Sequence, residues 1–477
     1  MKTAYLRYAT SGVAIPWSAT RATHFALAVP RDEQRTLALG WFLLGLVALV
    51  AAGAFSLVLV LARAPYLGAH LPFANAFHTA LVIHVDLSVL VWFAAMAAML
   101  WTLSSGPRWL TLGWVALALG CVATAFMIAA PFVAGGTPIM ANYIPVLDQP
   151  LFLYGLALFG VAFAIITLRN LASSPLVPVR LDGPGALRLG LDAAAIAALV
   201  ALGAFVWSWL EVPDHVTGKA YYEMLFWGGG HVLQFTWTLV MLVAWLWLAD
   251  LVAARMPLSA RMAGLMFAIG IGAVLIAPLI YLQWPVASVE HNRMFTWLMR
   301  FGGGLAILPI ALAVTIGLLR GGQTRPERRP LLVSLLASMT LFAAGGVIGF
   351  MIHGSDVRVP AHYHGSIVGV TLALMGLGYA LLEPFGFARP PLRLATWQPV
   401  LYGGGQLLHI VGLVWSGGYG VQRKVAGSDQ VLRSTQEVLG MGLMGIGGLV
   451  AIIGGLLFIV AIAIALRNGY PTQRGDR

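Results

Sequence analysis

Apolar residues along this chain neither alternate strictly nor recur at an amphipathic helical spacing. They run in long blocks broken by short polar stretches. Blocks lie near 37–63, 76–103, 109–133, 151–172, 187–211, 222–252, 263–285, 295–319, 331–352, 362–384, 396–420 and 440–466. A helix crosses a ~30 Å hydrocarbon core in about 20 residues, and each block is long enough. The pattern predicts an all-α polytopic membrane protein with twelve transmembrane helices. No linker divides the chain, so one helical domain is expected over 37–466, flanked by tails 1–36 and 467–477.

Charge gives this array a direction. Arg108, Arg169, Arg180, Arg255, Arg261, Arg320, Arg325, Arg328, Arg389 and Arg393 fall between blocks or at their ends on the side of the N-terminus, and Arg467, Arg474 and Arg477 follow the last block. The opposite loops hold Asp148, Glu211, Asp214, Glu290 and Asp356. By the positive-inside rule both termini are cytoplasmic. The expected setting is a bacterial or archaeal inner membrane, crossed many times. The tail 1–36 carries Lys2, Arg7, Arg21, Arg31 and Arg35 without a cleavable signal pattern.

Composition agrees, with 60% hydrophobic and 9% charged residues. The formal charge of +11 is then topology, facing membrane lipid, and implies no nucleic-acid partner. The one cysteine, Cys121, excludes a disulfide framework, a cysteine-ligated iron–sulfur cluster and a CxxCH haem attachment. A redox cofactor would need histidine or oxygen ligands.

Histidines inside a bilayer are costly and usually mark function. Counted from the outer ends at ~1.5 Å per residue, His84 lies about eight residues into helix 2 and His231 about nine into helix 6. His409 is roughly eleven residues from the outer end of helix 11, and His362 and His364 open helix 10 from that same side. Scattered packing histidines have no reason to share a depth. In VPAHYHGSIVG, His362 and His364 stand two residues apart, so they point about 200° apart at nearly one height. Each could hold its own planar cofactor, and haem iron accepts such axial imidazoles.

The HYH on helix 10, a histidine on helix 2, another on helix 6 and the twelve-helix layout resemble subunit I of the haem–copper oxidase superfamily, which includes cytochrome c oxidases and nitric oxide reductases. The resemblance spans the whole membrane region. It implies that His84 and His364 are axial ligands of a low-spin haem, and that His362 is the single ligand of a high-spin haem with an open face. Both haems would be b-type or related. In VQRKVAG, Arg423 and Lys424 match the family's basic pair over the haem propionates. An ordinary solvated pair is the plain alternative.

The match breaks at the second metal, iron or copper, that the family sets opposite the open haem. His231 in WGGGHVLQF fits its helix 6 ligand. The adjacent histidine pair of helix 7 is missing: the chain reads APLIYLQWPVASVEHNRMF, with Tyr281, Leu282 and Gln283 in that neighbourhood. Glu290 and His291 are the nearest substitutes, expected in the following loop. Phe235 stands where oxidases carry a tyrosine and nitric oxide reductases often a glutamate, and Gln234 lies one turn from His231 on the same face. Glu223, about two turns above His231, is a candidate for relaying protons from outside. A solvated acid at a helix mouth is the alternative. The glycine triplets Gly228–Gly230, Gly302–Gly304 and Gly403–Gly405 suit close helix approach.

The leading expectation is the catalytic subunit of a respiratory terminal reductase. Its substrate would be a small gas, nitric oxide ahead of O2. Electrons would come from a cytochrome c or cupredoxin-type subunit on the outer face. Competing readings are an oxygen reductase with altered ligands, an NO dismutase, and a dihaem electron-transfer or gas-binding protein without a second metal. A transporter would leave the level histidines unexplained.

Overall fold

The structure is a computed structural model and describes residues 23–66, 76–133, 135–175 and 181–469. The expected tails beyond those limits, and Arg180, lie outside the described residues. Helices follow each apolar block: α1 (Glu33–Arg63), α2 (Phe77–Ser104), α3 (Leu110–Phe132), α4 (Pro150–Ser173), α5 (Gly183–Glu211) and α6 (Gly218–Leu251). Then come α7 (Ala260–Gln283), α8 (Val289–Arg320), α9 (Pro326–Phe350), α10 (Arg358–Leu381), α11 (Leu392–Gly418) and α12 (Thr435–Asn468).

Eleven of these are long and apolar enough to cross a membrane. The exception is α11, which spends its composition on Gly403, Gly404, Gly405, Gln398, Gln406 and His409. That suits a helix pressed among others. Glycines on α11 and α12 bring the two backbones together: a Cβ on Gly405 would lie 2.4 Å from Ala451 N, and one on Gly447 2.3 Å from His409 N. Small residues are the usual device for such contact in a bilayer. The most enclosed spans are α6 and α10, the two that carry His231 and the HYH.

Side-chain hydrogen bonds mark two boundaries that apolar blocks did not reveal. Ser288 Oγ accepts from His291 N at 3.1 Å and starts α8 at Val289. Glu290 and His291 therefore sit in a helix's first turn, where the sequence suggested a loop. α10 begins at Arg358, with Asp356 just ahead of it accepting from Arg358 N at 2.8 Å, and so holds the HYH in regular helix. Between α3 and α4 a hairpin, β1 (Thr137–Ile139) with β2 (Val146–Asp148), folds over the same end of the bundle. α2 widens into a π turn at Asp86–Val91, directly after His84; such turns recur at functional sites.

Candidate haem-binding site

One cavity of ≈ 1570 Å³ runs through the histidine-bearing end of the bundle. His84, His231, His362, His364 and His409 all line it, together with Gln234, Tyr143, Arg63, Arg423 and Lys424. It reaches the lipid-facing side between α8 and α9, where Leu308, Val347 and Phe350 line it and are more than half exposed.

Four of these imidazoles are held in the same way. His84 Nδ1 meets Ala52 O at 2.9 Å, His231 Nδ1 meets Trp227 O at 2.7 Å, His362 Nδ1 meets Gly345 O at 2.7 Å and His409 Nδ1 meets Met444 O at 2.9 Å. A carbonyl can only accept, so each Nδ1 carries the proton and each Nε2 presents a lone pair. This is how iron- and zinc-binding histidines are oriented by their surroundings. Glycine makes the His362 contact possible. A Cβ on Gly349 would lie 2.9 Å from His362 Nδ1, and one on Gly345 would lie 2.4 Å from Ser366 N of α10.

His364 differs. Among the described residues no backbone carbonyl accepts from its ring; the side chain of Gln406 stands beside it instead. Its ring packs on His409 at 4.6 Å between centroids.

The rim carries positive charge. Arg423 Nε donates to Ser355 Oγ at 3.0 Å, and Lys424 Nζ donates to Met140 O at 2.7 Å. Burial and the neighbouring Arg423 pull the Lys424 ammonium down to about 8, against the opposing pull of Glu223. Arg63, at the end of α1, donates to Gln430 Oε1 at 3.2 Å and Gln422 O at 3.2 Å. Sequence reasoning passed over Arg63 because it closes an apolar block, where a basic residue reads as a helix end. Glu223 accepts from Asn142 Nδ2 at 2.9 Å, and Asn142 Oδ1 accepts from Lys424 Nζ at 3.3 Å. Glu223 is thus tied into the hairpin and the basic loop, away from the ring of His231.

Around His231 the neighbours are aromatic. Tyr143 of the hairpin lies 4.6 Å from it, Trp227 4.8 Å and Phe295 5.9 Å between ring centroids. Tyr143 was not foreseen. Its one sequence signal is Gly230, where a Cβ would come 2.2 Å from Tyr143 Cγ. On α7, Tyr281 turns toward α5, where its hydroxyl donates to Ala204 O at 3.0 Å and pairs with Ser208 Oγ at 2.8 Å. Leu282 faces outward, 71% exposed. His291 is fully buried behind Tyr281 and Phe295, at 4.8 and 4.9 Å, and its Nε2 has no partner. Glu290 is exposed. The structure brings His231 and Gln234 to the cavity but not Glu290 or His291.

These donors fit two haems. There are imidazoles with free Nε2 lone pairs, a mostly apolar slot between helices, and cations at one end for propionates. They do not fit the second metal: among the described residues no three His, Cys, Asp or Glu groups converge to hold one. One further buried group went unpredicted: both carboxyl oxygens of Asp86, in the π turn of α2, lack a hydrogen-bond partner among the described residues.

The fold is similar to that of a haem–copper terminal oxidase. A cryo-EM structure of such an oxidase dimer superposes with a TM-score of 0.72 over 94% of this chain and 86% of that one, at 14% sequence identity. No protein-family profile matches the chain. Among curated relatives, an uncharacterised protein of Rickettsia prowazekii is 26% identical over 497 aligned positions, covering 90% of this chain and 96% of that protein. An uncharacterised protein of Aquifex aeolicus is 28% identical over 358, covering 73% and 85%.

Proposed function

We propose that this chain is the catalytic subunit of a membrane respiratory reductase that holds a low-spin and a high-spin haem and converts nitric oxide to nitrous oxide. What carries the reading is the set of carbonyl-fixed imidazoles on one cavity beneath a basic rim. His84 and His364 would hold the low-spin haem, His362 the high-spin one, and Arg423 and Lys424 the propionates. The haems would supply electrons and an open coordination position for the gas.

The chain's own groups then have distinct tasks. Gly345 O fixes the His362 tautomer, which keeps Nε2 aimed into the cavity. His231 and Gln234 form the polar patch on the facing wall, placed to orient a diatomic. Aromatic rings around His231 exclude water there. Glu223, linked through Asn142 to Lys424, passes protons inward from the outer aqueous face. The overall change is two NO, two electrons and two protons giving N2O and water. Electrons enter from a cytochrome c or cupredoxin-type subunit on that face.

Nitric oxide is favoured over O2 because O2 cleavage needs four electrons at once, and the family's helix 6 phenol is replaced by Phe235. A second reading, a dihaem electron-transfer or gas-binding protein, draws on the lack, among the described residues, of a three-donor group for another metal. Purified protein with two haems that turns over NO with a reduced donor supports the reductase. Two haems that bind NO and CO without turnover favour the second reading. Rapid O2 consumption with little NO turnover would return the chain to the oxygen reductases.

A further inference from the structure

Three histidines, not two, line this side of the cavity, and the third, His409, is fixed by a backbone carbonyl just as His84 is. His409 is buried, lines the cavity with His84 and His364, and has its Nδ1 fixed by Met444 O at 2.9 Å. It is therefore locked with its Nε2 lone pair presented, as His84 is by Ala52 O. His364 has the Gln406 side chain rather than a backbone carbonyl beside it, and its ring packs on His409 at 4.6 Å between centroids. The helix behind His409 is shaped for it. Gly447 lets the α11 backbone close on α12, and a Cβ on Gly448 would stand 3.2 Å from His409 Nδ1. Unlike His291, which is also buried but lies off the cavity, His409 borders the cavity.

We infer that His409 is an imidazole able to take the place of His364 as a ligand of the low-spin haem. This rests on the two-haem reading above. Ligand exchange between the two changes no electron count: one imidazole nitrogen leaves the iron as the other binds. A haem bound there would keep two imidazole ligands if either His364 or His409 were lost.

The test uses the full-length protein purified with its haems, read by EPR and magnetic circular dichroism of the ferric state. His364→Ala is expected to keep a low-spin bis-imidazole signature, and the double variant His364→Ala/His409→Ala to lose it. His84→Ala should lose it alone. A high-spin five-coordinate signal in His364→Ala, beside a wild-type spectrum in His409→Ala, overturns the inference. Should His364→Ala fail to assemble, His364→Met decides. A retained bis-imidazole signature supports His409 as ligand, whereas a thioether–imidazole charge-transfer band overturns it. Wild-type protein without any low-spin haem would instead sink the two-haem reading itself, which separates the two failures.

Discussion

The α2–α10–α11 side of the cavity and the α6–α7 side have the same raw material, buried histidines, and use it differently. On the first side His84, His362 and His409 each have a carbonyl behind them and open space in front. On the second, His231 has the carbonyl but looks out through Tyr143, Trp227 and Phe295. Its nearest histidine, His291, is shut behind two rings. The lesson is that orientation alone does not make a metal centre. Convergence of donors does: several imidazoles share one cavity on the first side, whereas among the described residues no three His, Cys, Asp or Glu groups converge for a further metal.

The largest effect should come from breaking the haem side. His362→Ala is expected to abolish CO binding and gas turnover while the low-spin haem remains, as optical difference spectra of the reduced protein would reveal. Retention of the CO spectrum would mean that another residue holds the open haem. On the opposite side, His231→Ala should leave both haems and CO binding in place. Turnover is expected to fall about 10²-fold, as for loss of one oriented polar group at a reacting atom. If instead a haem is lost with His231, the contrast between the two sides collapses.

Metal removal sharpens the same comparison. Dialysis against a strong chelator should strip any metal near His231, since one imidazole and an amide make a weak set, and should leave haem iron untouched. Metal analysis before and after, with the CO spectrum as control, measures it. A third metal that survives would require donors that the described residues do not bring together.

These expectations rest unevenly on the sequence. Block length and the cost of unpaired backbone in lipid made the helices legible, and the i, i+2 spacing in HYH made the back-to-back imidazoles legible. His409 could be placed in depth from the sequence, but its nearness to His364 depends on glycine contacts between α11 and α12 that no local pattern encodes. Glu290 and His291 were expected in a loop because a polar first turn interrupts apolar runs. The cap at Ser288 made that turn helical and sent Glu290 outward. Tyr143 and Arg63 join the site through tertiary folding of a hairpin and of a loop, and their order along the chain gives no hint of it.

The hairpin offers a test with a smaller effect. Gly230→Ala would force Tyr143 off His231, since the new Cβ would start 2.2 Å from the ring. Overpacking of this kind costs about 1–3 kcal/mol. Heat-induced unfolding in detergent should show the loss, with haem content nearly unchanged. Tyr143→Ala in the same background should restore part of the stability; no restoration would place the clash elsewhere.

The smallest effect concerns the rim, and its sign follows from Lys424. In the haem-free chain its folded pKa lies near 8, below the ordinary 10.5. Between those two values the unfolded chain binds more protons than the folded one. Stability attributable to this group therefore rises with pH across that window and is flat below it. Lys424 is only partly buried, so solvent screening keeps the rise slight. Lys424→Met should flatten it, as thermal unfolding of the haem-free protein measured across that window would register. Bound propionates would hold the ammonium charged and move the window upward. A pH profile unchanged by haem loading would therefore separate Lys424 from the propionates and leave Arg63 and Arg423 as the cations that meet them.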